Sequence, residues 1–166
     1  MRAGIALGAN LGDRVAGLSG ARAQVFALPG VSGPLLSSSL YETEPIDCEP
    51  GAAKFLNAVI EIGFAGEPAE LLAALQRIEQ ALGRPPEHAA NRSRTIDLDL
   101  LYHGDRVVNG DGLVLPHPRL RSRAFVLQPL AEIRPALILP NDSRAVASWA
   151  AKLGPTAAVV RLPQEW

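Results

Sequence analysis

One cysteine, Cys48, stands in the whole chain, so no internal disulfide can form and no cysteine-based zinc site can be assembled. That usage fits a reducing compartment. No apolar run approaches the roughly 20 residues that span a bilayer, and the opening Met1 to Asn10 is broken too early for a signal peptide. Neither sign of charge is in excess. The 16 basic and 17 acidic side chains leave a net charge of −1, which excludes the global positive field that nucleic acid or an anionic membrane calls for. The glycine-rich phosphate loop ending in Lys-Ser/Thr is missing. There is no internal repeat and no low-complexity tract. A soluble, cytoplasmic protein is expected.

What is present is a core and a local bunching of charge. The 166 residues are 48% hydrophobic, enough for one domain over 1–166 with a real interior. Residues 137–166 read as a C-terminal helical and extended extension. The basic residues gather between Arg84 and Arg123, which argues for a local anion site rather than a charged surface.

Inside that region lies Arg94-Thr95-Ile96-Asp97-Leu98-Asp99-Leu100-Leu101. As a strand it alternates faces with a period of two, so Ile96, Leu98 and Leu100 share one side while Asp97 and Asp99 share the other. Residues two apart in a strand lie roughly 6.6 Å apart, close enough for two carboxylates to hold one cation or a neighbouring pair. On a helix the same two residues diverge. A half-exposed strand with a solvated polar face also tolerates two aspartates, so the pair needs its context. Arg84, Arg92 and Arg94 precede it, and His117, Arg119, Arg121 and Arg123 follow. Carboxylates facing a polyphosphate repel it unless cations intervene, and Mg²⁺ is typically held by one or two carboxylates together with substrate phosphates.

Around this strand the chain reads as strand, helix, strand, strand, helix, strand. Ala3 to Leu7 is a first strand, and Gly8 to Asp13 a glycine-bearing turn, with Asp13 as N-cap of a helix to about Leu28. Such a turn can cradle phosphate, but glycines in turns are common. Leu35 to Thr43 reads as a second strand, Glu44 to Gly51 as a loop, and Phe55 to Phe64 as a third strand antiparallel to the second. Glu67-Pro68 opens a helix that Gly83 closes. Arg84 to Ser93 has no apolar period and reads as a mobile loop. His103-Gly104-Asp105 reads as a turn leading to Arg106-Val107-Val108, expected as a short hairpin partner of the aspartate strand. His117 sits between two prolines on an extended segment. Arg119 to Leu127 reads as a basic turn entering a short helix, with Pro129 to Ile133 a further helical turn. This order is that of the ferredoxin-like motif, an α+β fold with an antiparallel sheet and helices on one face.

The chain resembles the 6-hydroxymethyl-7,8-dihydropterin pyrophosphokinases of folate biosynthesis, from about Ile5 to Pro140. The resemblance rests on Gly8-Ala9-Asn10-Leu11-Gly12-Asp13, Ser38 to Pro45, Phe55-Leu56-Asn57-Ala58, Ile78 to Arg84, Arg94 to Leu101, and Leu115 to Leu127, in that order. It implies transfer of pyrophosphate from ATP to the pterin hydroxymethyl oxygen, leaving AMP, with two Mg²⁺ ions held by Asp97 and Asp99. Arg84, Arg94, Asp97 and Asp99 are then the catalytic set. Thr43, Pro45, Ile46, Phe55, Asn57 and Phe125 would line the pterin site, and Glu79, Arg84, Arg94, Leu100, His117, Arg119 and Arg123 would meet ATP. The implied partners are these two small molecules, with no nucleic acid and no membrane, acting on a monomer. The chain departs from the family pattern at Ala9, Asp47, Pro86 and Asn91. The last two remove a loop cation and an aromatic lid, which implies slower closure.

Two alternatives stand beside this reading. A relative that binds ligand without turning it over differs only in AMP formation. A nucleic-acid module on the same fold needs aromatics on its central strands, and Ile96 to Leu101 has none.

Overall fold

The first strand, β1 (Arg2–Ala9), carries after Arg2 only Gly4, Ala6 and Gly8 on one face and Ala3, Ile5, Leu7 and Ala9 on the other. In the computed structural model, which describes residues 1–45, 51–84, 93–110, 112–154 and 159–166, this two-sidedness organises the molecule. β1 lies between β4 (Phe55–Phe64) and β5 (Asp97–His103), antiparallel to both. β4 pairs in turn with β2 (Val31–Ser37) and β3 (Tyr41–Thr43), and β3 with β8 (Val159–Arg161). The result is a six-stranded antiparallel sheet, ordered β5-β1-β4-β3-β8 with β2 also on β4. The ferredoxin-like α+β expectation is met.

Helices cover both faces, however, not one. The large-residue face packs α1 (Arg14–Phe26) and α2 (Pro68–Ala81), through Leu18, Ala21, Val25, Leu71, Leu75 and Ile78. The small-residue face packs α3 (Ala124–Ile133) and α4 (Val146–Leu153), through Val126, Leu127, Leu130 and Val146. Each fully buried aliphatic side chain contributes about 1.5–3 kcal/mol. The second layer comes from the end of the chain, where an isolated apolar run does not announce which face it will cover.

The helix ends follow their sequence signals. Asp13 caps α1 by accepting from the Ala16 N–H at 3.0 Å. Glu67 and Glu70 form a capping box on α2, and Gly83 takes the left-handed conformation (φ 91°) just past its end.

Four local expectations change. Leu35 to Thr43 is two strands, because the Ser38 hydroxyl accepts from the Val59 N–H at 3.0 Å and so ends the ladder of β2 before β3 begins. The segment after β5 does not pair with it. β6 (Val108–Gly110) forms its own ladder with β7 (Leu113–Leu115), while the outer edge of β5 is met by the His117 N–H, which donates to the Leu101 carbonyl at 2.8 Å. Pro129 does not start a new turn but lies inside α3, at the expense of one backbone bond. Finally, the aspartate strand begins at Asp97 rather than Arg94, since the residues before it are bonded to the turn after β1.

Candidate active site

Cross-strand partners in an antiparallel ladder share a face, so register alone assembles the site. Gly8 is opposite both Asn57 and Asp97, Ala6 is opposite Val59 and Asp99, and Asn57 is opposite Tyr41. Asn57, Asp97 and Asp99 therefore lie on the small-residue face, with Phe55 and Thr43 further along it. Asp97 and Asp99 point the same way, alternating with buried Leu98 and Leu100. Between Asn57 and Asp97 lies Gly8, where an added Cβ would meet only the Asn57 Oδ1, at 3.3 Å. The floor between the amide and the carboxylate is bare backbone.

Arginines ring the aspartates. Asp97 is bonded by Arg84 through Oδ1 at 2.6 Å and by Arg94 through Oδ2 at 2.8 Å, and Asp99 Oδ2 meets the Arg123 Nη1 at 3.2 Å. The same guanidiniums lie over the aromatics. Arg94 sits 5.9 Å from the Phe55 ring centre and Arg123 5.4 Å from that of Phe125, within cation–π range. The two aspartate side chains remain 25% and 34% exposed, so these pairs are open to exchange.

Glu79 lies beneath. One of its oxygens accepts from Arg84 and from the Leu98 N–H, the latter at 2.7 Å, tying α2 to the aspartate strand. Burial pushes its carboxyl up to about 7, against the pull of the Leu98 amide and Arg84. His117 has its pKa lowered, chiefly by burial, with Asp99 acting in the opposite sense. Its Nδ1 accepts from the Arg119 N–H at 3.2 Å, so the neutral ring carries its proton on Nε2 and can donate it to an anion.

Thr43 and Asn57 are both buried, and the Asn57 amide donates to the Thr43 hydroxyl at 2.9 Å. Pro45 follows β3, half-buried. Leu100 differs from expectation: its side chain is 3% exposed in the core under α1 and α2, on the face away from Asp97 and Asp99. Only the backbone of β5 remains for a nucleotide there. Arg121, grouped by sequence with the basic ring, instead bonds Asp142 at 2.8 Å. Ile46, Asp47, Pro86, His88, Asn91 and Arg92 lie outside the described residues.

The glycine turn after β1 does not present itself as a phosphate cradle. Asn10 and Leu11 donate their backbone N–H groups to the Arg94 carbonyl, at 3.1 and 3.3 Å. Asn10 was legible only as a motif member, because its partners are 43 to 84 residues away.

Fold and site together define an α+β protein whose sheet carries paired carboxylates and arginines beside a buried amide and two aromatics. A family model described as 7,8-dihydro-6-hydroxymethylpterin-pyrophosphokinase (HPPK) matches residues 4–135, and the chain belongs to that family. It is 40% identical over 155 residues to a Bacillus subtilis protein named 2-amino-4-hydroxy-6-hydroxymethyldihydropteridine pyrophosphokinase, covering 90% of this chain and 91% of the relative. A Methylorubrum extorquens protein of the same name is likewise 40% identical, over 93% of this chain and 95% of its own length. The chain spans much less of some relatives. It covers 20% of a Pneumocystis carinii protein named folic acid synthesis protein fol1, to which it is 36% identical. It covers 44% of a wild-type Plasmodium falciparum HPPK-DHPS chain, whose structure it matches over 92% of its own length with a TM-score of 0.69 at 14% identity, a likeness of fold.

Proposed function

We propose that this chain transfers pyrophosphate from ATP to 6-hydroxymethyl-7,8-dihydropterin, giving AMP and the pterin diphosphate, a step of folate biosynthesis. The observation that carries the reading is the common face of Asp97 and Asp99, each partly exposed and each held by an arginine of the set suited to phosphate. The hydroxymethyl oxygen attacks the β-phosphorus, the bond from that phosphorus to the oxygen bridging to the α-phosphate breaks, and AMP departs with that oxygen. Phosphoryl-type transfer asks the protein for positioning and charge neutralisation rather than covalent work.

Two Mg²⁺ ions fit the donor set. Among the described residues no group of three or more acidic or histidine side chains converges, so the protein offers two carboxylates and leaves the remaining positions to phosphate oxygens and water, as magnesium favours. When bound, the ions supply neutralisation of the polyphosphate and Lewis acidity toward the attacking hydroxyl. Arg84, Arg94 and Arg123 neutralise the aspartates before the nucleotide arrives and its phosphates afterwards, since guanidinium pairs with either anion. His117 and Arg119 add donors at the nucleotide end, and Glu79 orients Arg84. Phe55 and Phe125 offer their faces to the pterin ring, and Thr43, Pro45, Ile46 and Asn57 its edge. No helix among the described residues is long and apolar enough to cross a membrane, and we take the chain to act as a monomer in the cytoplasm.

The test is AMP formation from ATP and the hydroxymethylpterin, with Mg²⁺ and then with excess EDTA. Turnover that stops with chelator and returns with Mg²⁺ supports the reading. Equal turnover in both overturns the metal assignment, and no AMP under any condition overturns the activity.

A further inference from the structure

Asn10 is 3% exposed, in the turn immediately after β1. Its Oδ1 accepts from the Arg94 N–H at 2.7 Å, while its Nδ2 donates to the Ser93 hydroxyl at 2.9 Å and to the Ala53 carbonyl at 3.2 Å. With its own N–H on the Arg94 carbonyl, one residue grips both backbone polar groups of Arg94. Three segments remote in sequence thus meet at one amide: the end of β1, the approach to Phe55, and the approach to Asp97. Only a planar amide offers an acceptor and two donors in this arrangement. Arg94 precedes the β5 ladder, so the clamp fixes it where sheet hydrogen bonds do not.

We propose that Asn10 is a positioning residue, which aligns the nucleotide and pterin ends of the site by fixing the Arg94 backbone relative to Phe55 and Asp97. The Arg94 guanidinium reaches Asp97 at 2.8 Å and the Phe55 ring at 5.9 Å from that backbone position. This deepens the activity proposed above and rests on it. Loosening such a clamp permits displacements near 1 Å, which cost roughly 100-fold in rate when reacting groups are misaligned. Glu79 serves Arg84 from below, and Asn10 serves Arg94 from the side.

The test is a double-mutant cycle on the full chain, with kcat and KM for AMP formation beside the melting temperature. Asn10→Ala is expected to lower kcat roughly 10- to 100-fold at saturating substrates. In an Arg94→Ala background the same change is expected to cost less than about 3-fold, since residues acting as a unit are non-additive. Asn10→Asp keeps the acceptor for the Arg94 N–H and loses both donors, so it falls between Ala and the wild type. It carries the cycle if Asn10→Ala does not fold. Multiplicative losses in the double variant, or an unchanged kcat in a folded Asn10→Ala protein, overturn the positioning role while the wild-type chain still forms AMP. A wild-type chain that forms no AMP overturns the activity itself.

Discussion

The same face of the sheet ends in two carboxylate–arginine clusters of opposite character. At one end Glu61 is wholly buried and saturated: Tyr102 donates to it at 2.5 Å, Arg2 meets it at 2.7 Å and Arg134 at 3.0 Å. At the other, Asp97 and Asp99 keep a quarter to a third of their side-chain surface where they meet Arg94 and Arg123. Two glycines on β1 mark the difference. Gly4, opposite Glu61 and Tyr102, is filled by the Tyr102 ring, which an added Cβ would meet at 2.2 Å. Gly8, opposite Asn57 and Asp97, is left bare. Ion pairs of the same composition are thus structural where an aromatic ring seals them and exchangeable where backbone is exposed, because only the second arrangement leaves room for a competing ligand.

The largest expected effect that could break this contrast is at the aspartates. Asp97→Ala or Asp99→Ala should lower kcat by roughly 10³-fold or more, about 4 kcal/mol, with the melting curve little moved. Glu61→Ala should do the reverse, costing about 1–3 kcal/mol of stability by leaving the buried Tyr102 hydroxyl without its acceptor while the rate per folded molecule persists. Paired denaturation and AMP assays decide it, and a stability loss of that size at Asp97 would make the two ends alike. Next come the arginines. Arg94→Ala should slow turnover roughly 100-fold, whereas Arg121→Ala, whose partner is Asp142, should leave kcat within about 2-fold. Steady-state kinetics on both variants measures the gap.

The glycines should separate by readout. Gly4→Ala forces the Tyr102 ring aside at a cost of about 1–3 kcal/mol, while Gly8→Ala should raise the KM for the pterin several-fold with less loss of stability. The smallest effect concerns Glu79. Its carboxyl is raised in the folded protein, so the fold binds this proton more tightly than the unfolded chain. That contribution is complete below the ordinary carboxyl range and fades as pH rises through about 7. Denaturant midpoints should therefore fall between about pH 5 and 7 more steeply for the wild type than for Glu79→Gln, and parallel profiles would refute the shift.

Where the signal was local, the sequence was readable. The alternation of Asp97 and Asp99 with Leu98 and Leu100 needs only the pleat of a strand, and Asp13, Glu67, Pro68 and Gly83 announce helix ends through bonds to near neighbours. That alternation also sets Leu100 on the opposite face, so its assignment to the nucleotide went against its own pattern. The roles of Asn10 and Glu79 were not readable, because both depend on partners brought together by folding. The break at Ser38 likewise turns on the Val59 amide across the sheet.

By itself, then, the order of residues determined the strand and helix types, the ends of two helices and the pairing of two carboxylates on one side, all consequences of backbone geometry within a few residues. Tertiary structure alone decided which arginine holds which aspartate, that the final quarter of the chain covers the second face, and that Gly8 lies open while Gly4 is filled. Those outcomes depend on register between strands distant in sequence, and register is fixed only when the two faces are buried together.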